Sequence, residues 1–325
     1  MDFSIEPMPM EQSAFSRWTA FLRSRGLRWE PGVQWVALLT QEDQILACGA
    51  LRGKTLCLIA VDPSIEGEDA CAKIVTALVT KAYQLGQTHL FLCTKPIHER
   101  IFRSFGFYPL AQTSDMLLME NQGEGLKRYL KSIPVLTGLV GAVVLNGNPF
   151  TLGHQRLLEY ASAHCDGVYA FVLSEEGARF SSEERFELAK AGTAHLPNCR
   201  VVRSGEYLVS RATFPAYFIK EEGRVQDARA ELDLALFWQR IAPALGITRR
   251  FVGAEPYCPV TRAYNAQMQE ILPQHGISVT EVPRSDGISA SSVRKLMDAG
   301  DLAAIRPLVP EETYRLIQKK VSVHG

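Results

Sequence analysis

Within LVGAVVLNGNPFTLGHQRLLEYA, Leu139 to Ala161, an apolar run is broken by a loop with two glycines, a proline, a threonine and a histidine before helical spacing resumes. A strand that leads through a glycine-containing loop to a helix start can hold phosphate, because exposed backbone N–H groups and the helix dipole both favour an anion. Gly147 and Gly153 let the backbone approach a ligand closely. His154, at the helix N-terminus, can donate to a phosphoryl oxygen. Leu157, Leu158, Ala161 and Cys165 supply the buried face behind it. The alternative is a plain strand-to-helix turn whose histidine caps the helix.

A second stretch, ISASSVR from Ile288 to Arg294, suits the same chemistry. Ser289 or Ser291 can cap a helix whose first N–H groups face anions, and Arg294 adds a fixed charge for a β- or γ-phosphate. The same helix needs Val293, Leu296 and Met297 for its core face and Gly300 for its end in either reading. In RFSSEERFELAK, Ser181 and Glu184 have capping-box spacing, which makes Ser181 structural. FVGAEP puts Gly253 and Glu255 just after a strand.

NPFTLGH resembles the T/HxGH signature of the nucleotidyltransferase superfamily, with Thr151, Gly153 and His154 at the matching places. It does not fit the GxxxxGK[ST] pattern of a P-loop. ISASSVR resembles the distal ISSTxxR motif, with alanine third, serine fourth and the arginine in register. The resemblance implies a catalytic set of Thr151, His154 and Arg294. It implies nucleotide contacts from Asn148, Phe150, Gly153, Arg185, Gly253, Glu255, Ser289 and Ser291. Arg185 as a solvated helix arginine and Glu255 as an unpaired surface carboxylate remain the alternatives.

The elements that must position these residues follow from the rest of the chain. Its 325 residues, 46% hydrophobic, are enough for two domains with cores. Lys+Arg and Asp+Glu both total 35, so there is no global basic field to draw nucleic acid or an anionic membrane, and anion binding must be local. MDFSIEPMPMEQSAF has acids and prolines where a secretory signal has a basic end and an apolar stretch, and no run approaches a membrane span. Seven cysteines without a CxxC pair suit reduced core thiols in the cytoplasm, with no metal site.

The front part reads as strands (WVALLT, ILACGALRGKTLCLIAV, THLFLCT, SDMLLME) with a helix DACAKIVTALVTKAYQLG, in which Ile74, Leu78 and Lys81/Ala82 recur, and a short helix ended by Gly106. ENQGEGLKRYLKSIP is the linker candidate. From Leu139 onward strands and helices alternate, which predicts a parallel sheet covered by helices on both faces. Its ligand would sit where the loops after Leu145, Leu173, Val252 and Pro283 gather. The expected organisation is α/β: an α+β domain over residues 1–125, a linker over 126–137, and a Rossmann-like parallel-sheet domain over 138–325, which holds both motifs that resemble the nucleotidyltransferase superfamily.

The segment from Cys57 to Leu110 resembles a GNAT acetyltransferase fold, although Glu66, Glu68 and Asp69 stand in the loop that would meet an acyl-CoA pyrophosphate and would repel it. A GNAT-like front joined to a TxGH domain, with EYLVSRATFPAYFIKEE from Glu206 to Glu222, resembles the citrate (pro-3S)-lyase ligase family, also called acetate:citrate lyase ligases. The resemblance implies that ATP, with Mg²⁺ held by its phosphates, and acetate give acetyl-adenylate and pyrophosphate. The acetyl group then passes to the CoA-like prosthetic-group thiol on the acyl carrier (gamma) subunit of citrate lyase, releasing AMP. Arg211 and Lys220 are candidates for an anionic substrate, against a surface loop over Phe214, Tyr217 and Phe218. Rival readings are an adenylyltransferase of phosphopantetheine or nicotinamide mononucleotide, a GNAT-type protein acetyltransferase with a nucleotide sensor behind it, and a noncatalytic binding module.

Overall fold

The computed structural model describes residues 1–65, 68–174, 178–208, 216–219, 222–256, 258–283 and 287–322. The chain forms two compact units, Met1–Arg128 with Arg211–Leu236, and Tyr129–Ser210 with Phe237–Gly325. Among the described residues no helix is long and apolar enough to cross a membrane.

The first unit is built on β1 (Asp2–Pro7), β2 (Trp35–Gln41), β3 (Gln44–Arg52), β4 (Thr55–Val61), β5 (Phe91–Thr94), β6 (Tyr108–Gln112) and β7 (Leu117–Glu120), in the order β1-β2-β3-β4-β5-β7-β6. Only β4 and β5 run parallel, and the helix Glu68–Gln84 makes the crossover that such a pair requires. That helix buries Ile74, Leu78 and Ala82 completely, as its spacing predicts, while Lys81 lies 3.6 Å from the centre of the Trp35 ring. Gly49 is required beneath it: a Cβ there would stand 2.6 Å from Ile74 Cγ2. The sheet has the mixed α+β organisation expected of the front domain. The first strand and the helix Gln12–Ser24, which buries Trp18 and Leu22, had no counterpart in the sequence reading.

The chain re-enters this unit at Arg211–Leu236 rather than staying with the rear domain, and a helix, Gly125–Lys131, stands where a linker was expected. The reason for the re-entry is polar as well as apolar. β4 and β5 pair only at Thr55–Phe91 and Leu56–Leu92. Tyr217, 5% exposed, donates its hydroxyl hydrogen to the Cys93 carbonyl at 3.0 Å. Burial pushes that phenol well above its ordinary pKa, so it stays a donor. Glu30 Oε1 accepts from the Ala216 N–H at 3.2 Å and from Arg229 Nη2 at 2.9 Å, and its Oε2 accepts from Arg52 Nη1 at 3.2 Å.

The second unit carries β8 (Val140–Leu145), β9 (Gly167–Val172), β10 (Cys199–Arg203), β11 (Ile247–Gly253) and β12 (Ser278–Val282), in the order β10-β9-β8-β11-β12 with every pair parallel. The sheet grows one way from β8 to β10 and the other way from β11 to β12. That order reverses between β8 and β11, and parallel sheets of this kind bind ligands at the carboxyl ends of the strands beside such a reversal. Val143, Val168, Ala170 and Phe251 from the strands meet Leu158, Leu188, Val293 and Met297 from the helices in one core. ARAELDLALFWQRIAPALG, read as one long helix, is instead the helix Glu222–Leu236, a π turn Phe237–Ile241 and the short helix Ala242–Leu245. Pro243 has no N–H to offer the ladder and crowds the carbonyl of Gln239, within that wider turn.

Glu30→Ala removes the carboxylate that two guanidinium groups and a backbone N–H share. It should destabilise the protein by about 2 kcal/mol in thermal melts, whereas Arg17→Ala, at an exposed pair with Asp43, should cost under about 0.5 kcal/mol.

Candidate active site

The loop after β8 is shaped by Thr151 and His154. Thr151 is the N-cap of the helix Leu152–Ala163, with extended φ and ψ of −122° and 167°. Its backbone N–H donates to His154 Nδ1 at 3.0 Å, and its Oγ1 lies 2.9 Å from the same nitrogen. A backbone N–H can only donate, so Nδ1 is the accepting nitrogen and the neutral ring carries its hydrogen on Nε2. The histidine therefore does cap the helix, and the capping leaves it in the tautomer that can donate to a phosphoryl oxygen. Phe150, wholly buried, stacks on the imidazole with ring centres 5.5 Å apart at 26°. Gly192 makes room for it: a Cβ there would be 2.4 Å from Phe150 Cε1. The Phe150 ring thus acts on the site through the pose of His154.

Ser289 caps the helix Ala290–Asp298, its Oγ accepting from the Ser292 N–H at 3.0 Å and lying 2.9 Å and 2.7 Å from the hydroxyls of Ser291 and Ser292. Val293 and Met297 are buried as expected, and Gly300 follows the helix at φ +69°. The alanine at the third position of the motif costs the cap nothing, because Ser292 completes the hydroxyl cluster. Arg294 donates through Nη1 to the Asn148 main-chain oxygen, and so ties the second motif to the first across 146 positions of sequence. Gly153 serves the same junction, since a Cβ there would lie 3.3 Å from the Ile288 carbonyl oxygen. Its smallness admits the other motif's backbone.

Arg185 is not a solvated helix arginine. It is completely buried, and its Nη1 donates to the Asn146 carbonyl at 3.2 Å and to Asn146 Oδ1 at 2.6 Å. Asn148 Oδ1 accepts from the Phe180 N–H at 3.2 Å. The helix Ser182–Gly192 begins with the expected capping box, Ser181 N–H to Glu184 Oε2 at 2.8 Å and Glu184 N–H to Ser181 Oγ at 3.2 Å. Gly253 ends β11, its carbonyl accepting from Asn265 Nδ2 at 3.0 Å. Glu255 is not an unpaired carboxylate: its Oε1 accepts from the Cys258 N–H at 3.2 Å, at the N-cap of the helix Pro259–Ile271.

Thr151, Gly153, His154, Asn148, Phe150, Arg185, Ser289, Ser291 and Arg294 are thus linked around one loop, and Gly253 and Glu255 follow β11 at the carboxyl end of the same sheet. Arg211 and Lys220 lie outside the described residues. Asn146, Ser292 and Phe180 each lie inside a stretch quoted above, yet nothing in their types marks them out, because their roles consist of hydrogen bonds to residues of other segments or of the helix start. Among the described residues no group of three or more His, Cys, Asp or Glu side chains could hold a metal ion. Six cysteines are buried and Cys258 is exposed. Two helix N-termini, an imidazole with its hydrogen on Nε2 and the Arg294 guanidinium form a set of donors and positive charge suited to a chain of phosphoryl oxygens.

The family model described as the citrate lyase ligase C-terminal domain matches residues 140–317, from the start of β8 into the helix Glu311–Ser322. A citrate (pro-3S)-lyase ligase of Klebsiella pneumoniae is 41% identical over 311 residues, covering 92% of this chain and 91% of that protein. The enzyme of the same name from Escherichia coli K12 is 40% identical, covering 92% and 88%. That from Haemophilus influenzae is 36% identical, covering 97% and 98%. The chain belongs to the citrate lyase ligase family.

Proposed function

We propose that the second unit joins a carboxylic acid, acetate, to the α-phosphorus of ATP, and that the protein then acetylates the CoA-like thiol of the citrate lyase acyl carrier subunit. The observation that carries this reading is the Arg294 bond to the Asn148 carbonyl, with which the two motifs form a single anion-binding edge. The names of the relatives, ligases acting on citrate lyase, support the choice of acceptor.

A carboxylate is already ionised at neutral pH, so the first step needs no general base. One acetate oxygen forms a bond to the α-phosphorus as the bond to the bridging oxygen of the β-phosphate breaks, and pyrophosphate leaves with that electron pair. His154 donates its Nε2 hydrogen to the phosphoryl oxygen on which charge grows, and Arg294 neutralises the departing pyrophosphate. Mg²⁺ would enter with ATP as part of the substrate and would supply further charge neutralisation on the phosphates, alongside His154 and Arg294. In the second step the carrier's thiolate attacks the acetyl carbonyl and AMP leaves.

Exchange of labelled pyrophosphate into ATP should depend on acetate; exchange supported only by a phosphomonoester would identify an adenylyltransferase instead. His154→Ala should lower the exchange rate about 100-fold, and loss of the helix cap should lower the melting temperature by about 2–4 °C.

Arg294→Lys keeps the charge but loses the planar fork that can serve the Asn148 carbonyl and a phosphate together. Its kcat/KM for ATP should fall about tenfold or more in steady-state kinetics, with KM for acetate little changed.

A further inference from the structure

Arg185 is a guanidinium with no exposed surface, a costly item in a protein interior. Its Nη1 donates twice to one residue, to the carbonyl oxygen of Asn146 at 3.2 Å and to its side-chain Oδ1 at 2.6 Å. Asn146 is the residue directly after β8, the strand that borders the switch point of the sheet, and it is exposed. A guanidinium has only hydrogens to give, so the amide atom facing Arg185 is oxygen and the amide cannot be flipped. Nδ2 diverges from Oδ1 on the same planar carbon, so its two hydrogens are turned away from the buried arginine. The same loop carries His154 eight positions later, with its ring hydrogen on Nε2.

We propose that Asn146 is a ligand-binding residue of this site, donating from Nδ2 to an anionic oxygen, and that Arg185 is a positioning residue acting through it. The assignment rests on the adenylate-forming reading of the site. A neutral amide held in one orientation by a buried cation donates without reorganising as charge develops on the oxygen it meets, which is where such a donor contributes most. It also explains why a charge is retained where an apolar side chain of similar volume would pack without desolvation cost. The anionic oxygen belongs either to the carboxylate of the acid or to a phosphoryl group of ATP, and kinetics separate the two.

The test is pyrophosphate exchange by the full chain, with acetate and ATP varied in turn. Asn146→Asp keeps an oxygen for Arg185 but replaces the donor by a negative charge. It should melt close to the unmodified protein and lose about 100-fold in exchange rate. A raised KM for acetate identifies the carboxylate as the partner, and a raised KM for ATP identifies the phosphate. Arg185→Leu should raise the same KM, and adding Asn146→Ala to it should cost little more than either change alone, because the two residues act as one unit. If Arg185→Leu does not fold, Arg185→Gln, which retains an amide donor toward Oδ1, should recover part of the rate. Exchange by Asn146→Asp within about twofold of the unmodified protein, or additive losses in the double variant, would overturn the assignment while leaving acetate-dependent exchange by the unmodified protein intact.

Discussion

Nδ1 of His154 accepts from Thr151, and that short contact settles three things together: where the helix Leu152–Ala163 begins, how the imidazole is turned and which nitrogen holds the hydrogen. The rest of the second unit is arranged so that this contact cannot relax. Phe150 lies against the ring, Gly192 leaves the space Phe150 needs, and Gly153 lets the Ile288 carbonyl approach the same turn. A larger residue at Gly192 would strike the Phe150 ring that stacks on the imidazole, and one at Gly153 would press on the Ile288 carbonyl.

The chain has no net charge to attract an anion from a distance. Its anion-binding capacity is therefore built at short range, from groups whose charge is partial or fixed by packing. Each helix terminus contributes a modest favourable field, about 0.3–1 kcal/mol for an exposed charge. What raises such contributions is convergence, and the parallel sheet supplies it: strands on the two sides of a reversal in order deliver their following loops to one edge. Arg294 then acts within the protein before it meets any ligand, since its bond to the Asn148 carbonyl holds the two motifs at a set distance. The two arginines divide the work. Arg294 is half-buried, while Arg185 is fully enclosed and meets the edge at Asn146.

The first unit follows another constraint. Its single parallel pair, β4 and β5, is hydrogen-bonded over just two residue pairs, and Tyr217, far along the chain, donates to a carbonyl of β5. The carboxylate of Glu30 gathers Arg52, Arg229 and the Ala216 N–H around the same returning segment. A stretch that reads as a substrate loop of the rear domain is thus, in its described residues, structural material of the front one.

Much of this protein is legible in order along the chain. Apolar periodicity in Ile74, Leu78 and Ala82, the apolar runs of β8 and β9, the capping box at Ser181 and Glu184, and the loop–helix motifs at Thr151 and Ser289 all rest on physics that acts within about four residues, so local sequence decides them. Motif order pointed to nucleotidyl transfer, and the front segment together with EYLVSRATFPAYFIKEE narrowed that to the family. Tertiary structure alone decided that Arg185 is buried, that Gly153 faces a backbone, that Glu255 accepts from the Cys258 N–H and that Arg211–Leu236 joins the front unit. These depend on pairs such as Arg294 with Asn148, 146 residues apart, or Tyr217 with Cys93, 124 apart. No local preference encodes such a pair; the packed core must first bring the two segments within hydrogen-bonding distance.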